Sequence, residues 1–268
     1  MLVCALGDLT LDVSVRLSGP VAVGGDTDAE IRLAPGGQAA NVAVWAASLG
    51  ASARYLGKRG SDDAGRLASD GLLARGVEVV GPSAGRNGVV CSLVSPDGER
   101  SMASDRGAAA DLRPDEVAPA WLDGCNHLFV SGYALMREPA RAAALRAARL
   151  ARERGAAISV DLASWSAIRD AGPAGFREAV EQLAPGFVFS NEDEERLVGG
   201  RLAGPAWILK RGARGCSFDG EERPALPVER VVDTTGAGDA LAAGWIVGGP
   251  ELGLEAAARC VARLGSMP

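Results

Sequence analysis

What most constrains this chain is an alternation. Along most of its 268 residues, apolar runs of strand length take turns with Ala-rich stretches of helical period. Leu2–Leu6 is strand-like and stops at Gly7-Asp8. Gln38–Leu49 has a helical pattern ended by Gly50, a residue suited to the backbone turn after a helix. Ala53–Leu56 reads as a second strand, and Gly65–Ala74 as a helix closed by Gly76. Further on, strand Cys125–Ser131 precedes helix Pro139–Arg154, and strand Ala156–Asp161 precedes helix Gly175–Leu183. Phe187–Ser190 (strand) precedes Glu192–Val198 (helix), and Ala206–Lys210 is another strand. Ala237–Val247 and Glu251–Leu264 follow as helices. Strands separated by helices predict right-handed βαβ units and a parallel sheet covered on both faces.

Two segments break this rhythm. Val13–Pro35 and Asn87–Arg106 hold strand-like pieces and turn residues with no helix between them. Val89–Pro96, the turn Asp97-Gly98, and Glu99–Ala103 have the form of a β-hairpin. Together the two excursions predict a small sheet beside or over the main body. Open α/β sheets bind ligands at the carboxyl ends of their strands, so a lid there excludes water.

Charge and composition remove several classes of function. With 28 Lys+Arg against 34 Asp+Glu, the net charge is −6 and no basic run offsets it, which argues against nucleic acid as a partner. No uncharged apolar run reaches the roughly 18 residues of a membrane span. The N-terminal stretch lacks a basic segment and reads as a strand, not a signal peptide. Cysteines stand at 4, 91, 125, 216 and 260, widely spaced and without a CxxC pair. Reduced thiols in a cytoplasmic protein are the expectation, not a zinc site or disulfide framework. A histidine-based triad would have to use His127, which lies in a strand-like run and reads as structural. Only Lys58 and Lys210 are available as catalytic lysines.

The most informative stretch is Asp233-Thr234-Thr235-Gly236-Ala237-Gly238-Asp239. Here the apolar pair Val231-Val232, read as a strand, gives way to a small-residue turn and then to an Ala-rich helix. Gly and Ala let a ligand approach the backbone, and a helix N-terminus offers unpaired N–H groups and the positive end of its dipole. Asp239 falls in the first helical turn beside this anion site. A carboxylate there is electrostatically awkward unless it takes a proton from an attacking hydroxyl. The plain alternative is an acid favoured by the helix dipole.

A second cluster, Pro35-Gly36-Gly37-Gln38-Ala39-Ala40-Asn41, opens the first helix. Its glycines and early Asn suit a polyol, or simply a turn. Asp12, placed just past the first strand, reads as a hydroxyl acceptor or a solvated loop acid. Gly57-Lys58 is followed by Arg59 and lacks the upstream glycine of a nucleotide-binding P-loop. No GxGxxG follows the first strand, which argues against a dinucleotide oxidoreductase.

Gly36-Gly37…Asn41 and Asp233…Asp239, in this order across most of the chain, resemble the PfkB (ribokinase-like) carbohydrate kinases. Gly7…Asp12, Asn191-Glu192-Asp193-Glu194 and Gly212…Gly215 extend the match over nearly the whole chain. The resemblance implies a ribokinase-like three-layer α/β/α domain with a mostly parallel central sheet plus a small β-sheet lid, residues 13–35 and 87–106. It implies ATP-dependent phosphorylation of a sugar or related hydroxyl compound, with Asp239 as base and Gly236, Ala237 and Gly238 as the anion hole for the γ-phosphoryl. Phosphoryl transfer is mainly positioning and electrostatic stabilisation, which suits that division of labour.

By the same resemblance Asp12, Gly36, Gly37 and Asn41 hold the substrate, and Arg106 meets an anionic part of substrate or product. Asn191 and Glu194 organise Mg²⁺ and phosphates through water, while Lys210, Gly212 and Gly215 lie on the nucleotide side, where Lys210 or Arg211 meets phosphate. Asp233 and Thr235 match positions that help bind K⁺ in some members, and the lid makes a homodimer contact in many relatives.

The chain departs from the family pattern in two places. After Leu264 it has Gly265-Ser266-Met267-Pro268, where many relatives continue through a longer helix that completes the adenine pocket and potassium site. Gln38-Ala39-Ala40 replaces the lysine-containing filling of ribokinases proper, so ribose is not assigned. A nucleoside or sugar-acid kinase is the nearer alternative. A non-catalytic sugar- or nucleotide-binding protein is the more distant one, and the intact Asp239 argues against it.

Overall fold

The computed structural model describes residues 1–96 and 100–268. In chain order its first half comprises β1 (Leu2–Leu6), β2 (Thr10–Leu17), β3 (Ala29–Gly36), α1 (Gln38–Ser48), β4 (Ser52–Leu56), α2 (Asp63–Leu73), β5 (Val77–Val80), β6 (Gly88–Val94) and β7 (Arg100–Asp105). After three short 3₁₀ turns between residues 107 and 122 come β8 (His127–Ser131), α3 (Ala140–Glu153), β9 (Ala157–Asp161), α4 (Trp165–Ala171) and α5 (Pro173–Leu183). The last part holds β10 (Phe187–Asn191), α6 (Glu192–Leu197), β11 (Ala206–Lys210), β12 (Cys216–Phe218), β13 (Glu221–Arg223), α7 (Ala237–Gly248) and α8 (Pro250–Val261).

The main sheet has the order β13-β12-β11-β10-β9-β8-β1-β4-β5. From β11 to β5 every pairing is parallel, and β12 and β13 add an antiparallel edge. The strands read as unbroken apolar runs because both faces are covered. Along β1, Cys4 and Leu6 enter one core with Leu128, Ala147 and Phe176, while Val3 and Ala5 enter the other with Val42, Trp45 and Leu241. From β1 the chain builds outward through β4 and β5 on one side and through β8 to β11 on the other. That reversal opens a crevice at the carboxyl ends of β1 and β8, where Gly7, Asp8 and Ser131 lie.

The second sheet, β3-β2-β6-β7, is the expected lid. β6 and β7 pair antiparallel as the hairpin requires, and its turn at Asp97-Gly98 lies outside the described residues. The lid begins earlier than expected, because Thr10 pairs with Gly36 on one side and Gly88 on the other. Asp12 is therefore not a loop acid but the third residue of a lid strand. Val231-Val232 is not a strand either: both residues are largely exposed, and the Val232 N–H donates to Val261 O at 2.7 Å on α8.

β5, β12, β13 and α4 are absent from the sequence reading. The first three have only three or four residues and draw their stability from a neighbouring strand. α4 is a short helix begun by Ser164, whose Oγ accepts from the Ala167 N–H at 3.5 Å.

Candidate active site

The N-terminus of α7 is built from bare backbone. Gly236 precedes it in the left-handed region, φ 77°, and a Cβ there would lie 2.7 Å from Ser266. A Cβ on Gly238 would come 3.3 Å from the Lys210 Nζ, so the turn rests against an ammonium group. The helix start and this cation together favour an anion. Of the three residues expected to form the hole, Ala237 has an N–H that makes a long 3.3 Å bond to Thr234 O.

Asp239 follows in the first turn, and its Oδ2 accepts from Asn41 Nδ2 at 2.7 Å. The Asn41 Oδ1 in turn accepts from Ser266 Oγ at 3.0 Å, and Trp45 Nε1 donates to Ser266 O at 2.8 Å. Two turns of α1 and the segment around Ser266 thus hold the carboxylate in one orientation. Asn41, expected to hold a polyol, spends its amide N–H on the Asp239 carboxylate. Burial pushes Asp239 up to about 7; the Asn41 amide and Lys210 pull it down, while Asp161 and Asp8 push it further up. That value suits a group that must accept a proton near neutral pH.

Beneath the turn lies a set of paired charges. Lys210, ending β11, places Nζ 2.5 Å from Oδ2 of Asp161, which ends β9 and is fully buried. Burial alone would lower the lysine, but Asp161 and Glu194 offset this and hold its pKa above the usual range. Asn191 caps α6 and forms a closed pair with Glu194. The Glu194 N–H donates to Asn191 Oδ1 at 2.9 Å, Asn191 N–H to Glu194 Oε2 at 2.9 Å, and Asn191 Nδ2 to Glu194 Oε1 at 2.8 Å. Burial raises the Glu194 pKa against the pull of Lys210.

Gly212 and Gly215, with φ 57° and 93°, fold the β11–β12 connection tightly. A Cβ on Gly215 would lie 2.0 Å from Arg223 O. Arg211, the other expected phosphate contact, instead pairs with Glu222 and, at 3.3 Å, with Glu192.

Across the crevice, Asp12 accepts from Thr10 Oγ1 at 2.7 Å, and any Cβ on Gly36 would collide with its carboxylate at 2.2 Å. Gly37, φ 100°, lets the start of α1 press on the Asp8 carbonyl, where a Cβ would come within 2.4 Å. Arg106 extends from the lid base to Asp8 Oδ2 at 2.6 Å and stacks over the Tyr133 ring, 3.5 Å from its centroid. Beside them opens a cavity of about 850 Å³ lined by Asp8, Lys58, Arg106, Tyr133, Met136 and Arg137, among others. Asp233 accepts from the Thr235 N–H and Oγ1, at 2.9 and 2.6 Å, and from the Gly265 N–H at 3.1 Å. It therefore ties the anion turn to the segment after α8.

His127 is structural: it is buried in β8 with Nε2 2.8 Å from Ser159 Oγ, and burial lowers its pKa to about 4. Three site residues escaped the sequence reading. Asp8 and Asp161 stand at the carboxyl ends of parallel strands, a placement that marks ligand positions in such sheets, whereas nothing local singles out Tyr133.

The signature of the pfkB family carbohydrate kinases matches residues 1–267. An ATP-dependent ribose-1-phosphate kinase of Halopiger xanaduensis is 32% identical over 96% of this chain and 90% of its own length. The chain belongs to the pfkB family of carbohydrate kinases. Solved pfkB-like folds agree with the architecture. An adenosine kinase from Sinorhizobium meliloti superposes with a TM-score of 0.87 at 24% identity, over 99% of this chain and 95% of the other. A ribokinase II from E. coli, in complex with ATP and Mg²⁺, superposes at 0.84 with 22% identity, over 99% and 94%. The family match takes in the lid strands as well as the main sheet. Among the described residues no helix of this kinase is long and apolar enough to cross a membrane, and all five cysteines are free thiols.

Proposed function

We propose that this kinase moves the γ-phosphoryl group of ATP to a hydroxyl of a sugar or nucleoside, with Asp239 as the general base. One observation carries the reading. A carboxylate with its pKa near 7 is clamped by Asn41 in the first turn of a helix whose N-terminus is bare glycine backbone. Asp239 takes the proton of the attacking hydroxyl, and the N–H groups of Gly236, Ala237 and Gly238 receive charge developing on the transferred group. Lys210, set against Gly238, adds a fixed cation to that spot.

Asp12 and the Gly36-Gly37 backbone hold the acceptor from the lid side, and Arg106 from the opposite wall. Gly212 and Gly215 shape the nucleotide side. Among the described residues no trio of His, Cys, Asp or Glu is arranged to hold a metal alone. On this reading Mg²⁺ would arrive on the nucleotide phosphates, with Asn191 and Glu194 holding it through water. The ion would supply charge neutralisation on those phosphates. Asp233 and Thr235 offer the oxygens for a K⁺ ion beside the anion turn, although both already bind the turn itself.

The same reading places the protein in the cytoplasm and pairs it with a second copy through the lid. Strand register puts Val13, Val15, Ile31, Leu33, Cys91 and Leu93 on one face of that sheet, and Ile31 and Leu33 are well exposed. Asp12 lies on the other face. The decisive experiment offers MgATP with a panel of sugars, sugar acids and nucleosides and measures ADP release. Turnover on a member of the panel identifies the acceptor, and binding of a sugar without turnover on any of them favours a binding protein.

A further inference from the structure

An ionised carboxylate only accepts hydrogen bonds, so the group set against Asp239 Oδ2 must donate. Asn41 does so through Nδ2, and the other end of its amide, Oδ1, accepts from the Ser266 hydroxyl at 3.0 Å. Asn41 and Ser266 are both buried, so that hydroxyl is what keeps the amide oxygen satisfied. An asparagine amide has nearly the same shape either way round. Turned over, it would face the carboxylate oxygen to oxygen. A donor on Oδ1 favours the working sense, and it also polarises the amide so that its N–H donates more strongly.

Ser266 is itself held firmly. Its carbonyl accepts from Trp45 Nε1 at 2.8 Å, one turn along α1 from Asn41, and a Cβ on Gly236 would lie 2.7 Å from its Cα. The preceding N–H, of Gly265, donates to Asp233 Oδ2 at 3.1 Å. Two consecutive residues after α8 therefore fasten the anion turn with a backbone group and the Asn41 amide with a side chain.

We propose that Ser266 is a positioning residue for the general base: its hydroxyl sets the sense of the Asn41 amide, and the amide holds Asp239 ready to accept a proton. The inference rests on the reading that Asp239 is that base. Burial raises the Asp239 pKa to about 7. The Asn41 amide opposes this, as does Lys210 of β11, while Asp161 of β9 and Asp8 after β1 add to it. Cys260 of α8 stays a neutral thiol, since burial, Asp239 and Asp233 push its pKa up to about 12. Loosening the amide thus removes one of two groups that favour the ionised carboxylate, and the Asp239 pKa must rise.

Ser266→Ala deletes one oxygen and keeps the backbone carbonyl that Trp45 holds. Carbon-13 NMR on aspartate-labelled protein, with the Asp239 signal identified by its loss in D239N, should show Asp239 titrating about half a pH unit or more above wild type. An unchanged titration overturns the proposal. In an Asn41→Ala background, Ser266→Ala should move the titration no further. A further shift of the same size would mean that Ser266 acts by packing on the Gly236 turn, and would also overturn it. Should S266A not fold, Ser266→Cys, a weaker donor at the same point, should raise the titration by less; no rise overturns the proposal. On an acceptor that turns over with MgATP, the acid limb of kcat/KM in S266A should move up with the titration. Its kcat at pH 7 should fall roughly 2- to 10-fold, with KM for ATP within about 2-fold. An acid limb that stays in place overturns the proposal. Absence of wild-type turnover on every acceptor defeats the general-base reading instead, and the NMR titration still decides whether Ser266 governs the carboxylate through Asn41.

Discussion

The two sides of the crevice hold their acidic groups in different states. On the side of β9 to β11 each site acid has its partners in place: Asp161 holds Lys210, and both oxygens of Glu194 hold Asn191. On the side of β1 and the lid, Asp8 keeps a buried oxygen unpaired. The first side is a preorganised electrostatic floor whose acids are paired within the protein; on the second, one carboxylate oxygen is buried without a partner. Phosphoryl transfer needs the first, since developing charge must meet fixed dipoles.

Breaking the floor should be the costliest change. Lys210→Met strands the buried Asp161 carboxylate, with an expected loss of about 3–5 kcal/mol read by urea unfolding. Adding Asp161→Asn to that variant should recover most of the stability but not the activity. A small loss in the single variant would show that the floor is not a coupled pair.

Asp239→Asn should lower kcat by at least roughly 10²-fold while ATP binding is largely kept, as calorimetry would show; near-normal turnover removes Asp239 from the chemistry. The pH dependence sharpens this. Asp239 must be ionised to act, so kcat/KM for the acceptor should fall about tenfold per pH unit below its pKa of about 7.

Stability should move the other way. A carboxylate whose folded pKa lies above its unfolded value costs stability as pH rises through the folded pKa. The melting temperature of Asp239→Asn should therefore exceed that of the wild type at pH 8, with the gap closing toward pH 4. A gap that widens in acid would refute the assigned shift. The smallest effect is on the acceptor side, where Asp12→Ala should weaken acceptor binding by roughly 10-fold and ATP binding less, about 1.4 kcal/mol on the acceptor. Equal losses in a calorimetric titration would move Asp12 away from the acceptor.

Much of this was legible in the residues. Strands buried on both faces announce themselves as apolar runs, and β1, β4, β9, β10 and β11 lie within a residue of where the pattern puts them. The Asn191…Glu194 capping box and the glycine turn before α7 are local devices, readable wherever they occur. Short paired strands such as β12 and β13 carry no such signal, because three residues gain their hydrogen bonds from a neighbour and not from their own pattern. Asp12 was misplaced for the same reason: only pairing with β3 and β6 makes Thr10–Leu17 a strand.

By itself, then, the sequence determined the alternating architecture, the lid, the anion turn and the acid beside it, since each rests on period, capping or backbone freedom over a few neighbouring residues. Only the tertiary structure decided what those residues touch. Asn41 reaches Asp239 across 198 positions, Lys210 reaches Asp161 across 49, and Arg106 reaches Asp8 across 98. Burial and charge pairing depend on what packs around a group, and in a parallel sheet its neighbours come from distant strands.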